Sequence, residues 1–205
     1  MNFLKSIFVG KAGHYHILGV DVEFRNYYTT NNIDLRIEKI VGNVGFKLVT
    51  QGYAHVFVHE MGHALANKLL NSSSNGQERI AILTQSCTGY SSQLRKNSNN
   101  LKDSIISAAG PMFDVTFCIC KLMAAAMLIK TKNAYLLPGA LVLAVGGSSW
   151  MFGEILYACT SVINRNSKGD FRQIANNSSV HLICASVALI TQCALGIFAT
   201  IKLIN

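Results

Sequence analysis

From Gln173 to Ile201 the chain reads QIANNSSVHLICASVALITQCALGIFATI, and no Asp, Glu, Lys or Arg interrupts it. Its apolar part, from Val180 onward, is long enough to cross a hydrocarbon core as a helix, which takes roughly 20 predominantly apolar residues. Working outward, Asn133 to Gly153 is a second uncharged run, and Ser104 to Ile129 is apolar apart from Asp114 and Lys121. The segment Phe46 to Leu70, FKLVTQGYAHVFVHEMGHALANKLL, is a further candidate and the least apolar of the four. These runs predict a mainly α fold, a polytopic membrane helix bundle of about four transmembrane helices. The expected spans are Phe46–Leu70, about Asp103–Lys130, about Leu136–Val162 and Val180–Leu203.

Composition agrees with this reading. Of 205 residues, 50% are hydrophobic and 14% charged, against about 25% charged in an ordinary soluble domain. The deficit is local, concentrated in the runs just described. The mean hydropathy of +0.31 is modest, which keeps the buried helices of a soluble α-protein as the alternative. The formal net charge of +8 suggests nucleic acid at first sight. The basic residues, however, sit in segments flanking the apolar runs (Lys5, Arg25 and Lys39; Arg79, Arg95 and Lys102; Arg165 and Arg172). That placement suits anionic headgroups, and no aromatic–basic interleaving supports base stacking, so no nucleic-acid partner is expected. The expected partners are the lipid bilayer and a membrane protein or peptide substrate.

Cysteines fall mostly in the apolar runs without C-x-x-C spacing and read as small hydrophobes. The start, MNFLKSIFVGKAGHYH, is interrupted by Lys5 and Lys11 and is not read as a signal peptide. Residues 1–45 are expected to be an extramembrane segment, with a strand within Asp21–Thr30, and 46–205 a membrane-embedded domain. Between the first two spans, RIAILTQSCTGYSSQL reads as a short β-hairpin with a Gly-centred turn. The segment NRNSKGDFRQIANNSS reads as a polar loop before the last span.

Chemistry concentrates in His59-Glu60-Met61-Gly62-His63, an H-E-x-x-H pattern. Residues four apart share a helix face, so both imidazoles can grip one ion. Glu60 is offset by about 100° from His59 at 3.6 residues per turn, which suits a general base and not a ligand. Zn2+ lowers the pKa of a coordinated water toward about 7, and a carboxylate can then take its proton. A helix carrying two surface histidines is the bland alternative, but polar groups in a membrane span are penalised unless they serve a function. His55 lies one turn earlier. It and His63 are separated by about 12 Å along a straight helix, too far for both to reach one ion, so His55 is expected to line the cavity or support the ligands.

In these features the chain resembles the site-2 protease family of intramembrane zinc metalloproteases. Besides HEMGHA, the resemblance rests on the hairpin after the motif helix and on Ala109-Gly110-Pro111, expected to open the next helix. It extends to Asp114, where the family often has Asn, and to Asn164 followed by Asp170. It covers about residues 46–175. Asp170 is followed by Phe171 where the family has Gly, and the proline usual between the Asn and the Asp is absent. The resemblance implies zinc-dependent hydrolysis of peptide bonds in transmembrane or membrane-proximal segments. It implies Glu60 as catalytic base, and His59, His63 and Asp170 as metal ligands.

Depth in the membrane supports that set, since the ends of the first and third spans and the start of the second fall on one side. Glu154, in the third span at a compatible depth, is a rival third ligand, and Asp114 another; otherwise Asp114 holds the region together by hydrogen bonds. Lys121 is expected to snorkel or to pair with one of these acids. Two competing functions remain. One is a soluble or peripheral zincin-type metallopeptidase. The other is a non-catalytic membrane pseudoprotease, which the intact Glu60 disfavours.

Overall fold

The computed structural model describes Phe3 and residues 12–25, 52–70, 78–83, 88–92, 99–163 and 169–205. Among these residues four strands and five α-helices follow in the order β1 (Gly13–Ile17), β2 (Val20–Arg25), α1 (Gly52–Leu70), β3 (Glu78–Leu83), β4 (Thr88–Ser92), α2 (Asn100–Lys130), α3 (Leu137–Ile163), α4 (Asp170–Asn177) and α5 (Ser179–Ile204). Most described residues are helical. Three of the helices are long and apolar enough to cross a membrane: α2, α3 with the 3-10 turn before it, and α5. α1 does not reach that hydropathy within its described residues; the expected start of its span, at 46–51, lies outside them.

The strands form one sheet in the order β1-β2-β3-β4. β1 and β2 are antiparallel, with Ile17 paired to Val20. The two residues between them, Leu18 and Gly19, have φ of 53° and 76°. Two successive positive φ values are what a tight type I′ hairpin turn requires. β2 then runs parallel to β3, Val22 opposite Ile80, and parallel neighbours need a crossover connection. Here α1 lies within that crossover. Alternate residues of a strand face one side of the sheet, so Val20, Val22 and Phe24 all turn inward with Ile80 onto Met61 and Ala64 of α1. The expected strand at Asp21–Thr30 is present as far as Arg25, and the rest of it lies outside the described residues.

The hairpin after the motif helix is present as antiparallel β3 and β4. Its glycine was expected in the turn but lies inside β4, paired with Ile82; residues 84–87 lie outside the described set. A second correction concerns Gly110 and Pro111, which do not open α2. The helix starts about three turns earlier, where Asn99 accepts a hydrogen bond from Leu101 N–H, and Pro111 is interior to it.

A third correction falls on the segment read as a polar loop. Asp170–Asn177 is an amphipathic helix whose Phe171 and Ile174 are buried in the main core. Gly169 turns the chain into it with φ 107°, a value that L side chains resist. The Tyr157 hydroxyl fills the space a Cβ at residue 169 would need and accepts a hydrogen bond from Phe171 N–H at 3.3 Å. The Ser178 side chain then caps α5, accepting from Val180 and His181 N–H.

The main core lies among α2, α3, α4 and α5 around Val115, Cys118, Met151, Ala158, Leu182 and Leu189. Outward from it point Phe113, Phe152, Leu156, Val187, Leu195 and Phe198, all exposed. Asp114, Lys121 and Glu154 on the same helices are buried instead. Polar groups inside and large apolar side chains outside is the arrangement expected of helices whose solvent is lipid.

Candidate metal centre

α1 is held between the sheet and α2, and its two working faces follow from helical spacing. Met61 and Ala64 turn to the strands, whereas His55, His59 and His63, at intervals of four, line up toward α2. The helices approach closely because small residues meet at their crossing. A side chain at Gly62 would strike the Ala109 carbonyl oxygen at 2.6 Å and the Phe113 Cβ at 2.9 Å.

Proton donors and acceptors fix how the motif histidines are presented. His63 Nδ1 lies 2.7 Å from the Ile106 carbonyl oxygen. A carbonyl only accepts, so Nδ1 carries the hydrogen, and in the neutral ring Nε2 carries the lone pair. His59 Nδ1 lies 2.8 Å from Asp114 Oδ2, and a carboxylate gives the same result. Asp114 is thus a buried acceptor that orients His59, a partner of the kind metal-binding histidines usually have.

Both Nε2 atoms turn toward the same spot, 3.1 Å apart. Asp170, brought in at the first turn of α4, lies there too, with Oδ2 3.0 Å from His59 Nε2 and Oδ1 3.2 Å from His63 Nε2. For zinc bonds of about 2.0–2.1 Å the edge of a tetrahedron is about 3.3–3.4 Å. The observed spacings therefore need to open by only a few tenths of an ångström. Two ring lone pairs and a carboxylate repel one another unless a cation or added protons lie between them. With protons on the Nε2 atoms, burial would raise the Asp170 carboxyl, but hydrogen bonds from His59 and His63 outweigh it and hold the group well below the usual carboxylate range.

Gly110 leaves this spot open. A Cβ there would lie 2.8 Å from His59 Nε2 and closer still to His63 Nε2. The missing side chain, the donor set and the spacing all fit a metal ion held by His59, His63 and Asp170.

Glu60 follows His59 on α1 and is buried, 7% exposed. His55 is fully buried, stacked on Trp150 with ring centroids 4.5 Å apart, and its Nδ1 lies 3.1 Å from Asp114 Oδ1. Lys121 does not snorkel: it is 4% exposed and its Nζ lies 3.0 Å from His55 Nε2. Glu154 is buried, and its Oε2 has no hydrogen-bond partner among the described residues. It forms a second potential ligand group with His59 and Asp114; the group that contains both motif histidines takes Asp170 as its third member. Asn164 lies outside the described residues.

α4 is pinned to α2 by side chains that carry no motif. Ser107 donates to Gln173 Oε1 at 3.1 Å, and Asn177 donates to Ser104 Oγ at 3.2 Å. Together with Tyr157 and Gly169 these set where Asp170 stands. None was singled out from sequence; the one available hint was a glycine directly before a candidate ligand.

No protein-family model matches this chain, and no curated protein or solved structure is detectably similar to it.

Proposed function

We propose that the protein is a zinc-dependent intramembrane endopeptidase, multi-pass in its membrane, of the site-2 protease type its sequence resembles. The observation that carries this reading is the meeting of both motif histidines with Asp170 around one open spot beside a buried Glu60. Helices that keep their acids inside and apolar side chains outside support the membrane setting. In this reading α1, with the residues before it, is a fourth span.

Zinc, when bound, supplies a Lewis acid that polarises the scissile carbonyl and makes water acidic enough to attack at neutral pH. Glu60 takes the proton from the attacking water as its oxygen bonds to the carbonyl carbon. It returns that proton to the amine nitrogen as the C–N bond breaks. Asp114 and the Ile106 carbonyl hold the two imidazoles, and Gly110 leaves room for the substrate backbone. A substrate helix has to unwind locally, since its carbonyls are already satisfied within the helix.

A second reading has its own support. α1 is polar and packs on a four-stranded sheet, as in a zincin whose motif helix lies at the membrane surface. Two measurements test these together. Purified protein in proteoliposomes is given a library of single-span segments, and products are read by mass spectrometry. The wild type is expected to cut within or beside the apolar stretch, and Glu60→Gln not to cut. Cleavage confined to soluble peptides favours the peripheral zincin. No cleavage by zinc-loaded wild type, or equal cleavage by Glu60→Gln, overturns both.

A further inference from the structure

The buried Lys121 is not explained by holding a metal or by hydrolysis. A lysine within a span is costly and calls for a role. Its ammonium offers donors only, so the 3.0 Å contact to His55 Nε2 makes that nitrogen the acceptor. The His55 hydrogen is then on Nδ1, which donates to Asp114 Oδ1 at 3.1 Å. The other oxygen of Asp114 accepts from His59 Nδ1 at 2.8 Å. With both rings neutral, each proton along Lys121–His55–Asp114–His59 has one place, and the chain ends on the His59 Nε2 lone pair facing His63 and Asp170. His55 has no freedom to rotate out of this path, since it is stacked on Trp150 with the rings 11° from parallel and packed edge-on to Phe117.

We propose that Lys121 is a positioning residue for the metal centre, acting through His55 and Asp114 to hold His59 in the one tautomer that presents Nε2 to the ion. The proposal rests on the metal reading of His59, His63 and Asp170. Lys121 supplies two things. Its donor at Nε2 and the Asp114 acceptor at Nδ1 agree in keeping the His55 hydrogen on Nδ1. Its charge balances the Asp114 carboxylate in a site where a neutral amide at residue 114 would have one acceptor for two imidazole donors.

The experiment uses the full chain in detergent micelles, with histidine ring nitrogens labelled with 15N. Zinc affinity is measured by competition with a chromophoric chelator, and the His59 tautomer is read from its ring-nitrogen shifts in the metal-free protein at a pH where the ring is neutral. Lys121→Met is expected to weaken zinc about 10–100-fold, the usual cost of losing a partner behind a ligand, and to give mixed tautomers at His59. Lys121→Arg, which keeps a donor-only cation, is expected to retain a single tautomer. A merely structural lysine would affect stability and leave the tautomer alone. Lys121→Met with zinc affinity within twofold of wild type and one His59 tautomer overturns the proposal. If Lys121→Met does not fold, His55→Phe takes its place, keeping the flat ring on Trp150 while cutting the chain, with the same expected and overturning results. Failure of the wild type to bind zinc overturns the metal reading instead.

Discussion

Gly110→Ala adds a single methyl group to α2 at the point where the ligand nitrogens converge. That carbon would stand 2.8 Å from His59 Nε2 and nearer still to His63 Nε2, well inside ordinary van der Waals contact. The imidazoles have little room to retreat, because each is tethered through Nδ1, one to Asp114 and the other to Ile106. Overpacking of this kind costs about 1–3 kcal/mol, which corresponds to roughly 5–150-fold in an affinity. An alanine in a helix interior, by contrast, gains about 1 kcal/mol over glycine. The two effects separate in measurement: zinc affinity should fall by one to two orders of magnitude, while thermal stability of the metal-free protein changes little. Gly139 and Gly153 serve as controls, since a methyl group at either meets nothing within 4 Å among the described residues. Alanine there should leave zinc binding unchanged. Equal zinc affinity in Gly110→Ala and wild type, by chelator competition, would refute the placement of the ion between the two Nε2 atoms and Asp170.

Glu60→Gln should abolish peptide hydrolysis while keeping stoichiometric zinc by elemental analysis; loss of the metal would mean that Glu60 is a ligand. Asp170→Asn should weaken zinc sharply, because an amide oxygen is a poorer donor and removes charge compensation, whereas Glu154→Gln should keep the metal. The reverse pattern would move the third ligand to Glu154. Tyr157→Phe removes the acceptor for Phe171 N–H over Gly169, and should cost about 0.5–1.5 kcal/mol of stability and loosen zinc several-fold. An unchanged melting temperature and zinc affinity would show that α4 is anchored elsewhere.

The long helices were legible because their apolar runs are continuous. The ends expected at Val162 and Leu203 fall within a residue of those found. H-E-x-x-H was legible because both histidines lie four apart on one helix, a purely local relation. The β1–β2 hairpin was hidden by its turn, in which Leu18 occupies a left-handed position usually signalled by Asn or Asp. The parallel pairing of β2 with β3 spans an entire helix and leaves no local pattern. α4 was hidden because eight residues with two buried apolar side chains are too few to stand out from a polar segment. The role of Asp114 as an acceptor for two imidazoles depends on where α1 and α2 cross, which spacing along one helix does not encode.

The members of the His59, His63 and Asp170 cluster come from places far apart along the chain, Asp170 standing 111 residues after His59. At a synthesis rate of about 5–20 residues per second, roughly 5–20 s separate the two during translation. Through that interval the nascent chain carries the two histidines and Glu60 without the carboxylate that completes the cluster. In the proposed reading the nascent chain has no complete site until Gly169 turns α4, and with it Asp170, into place.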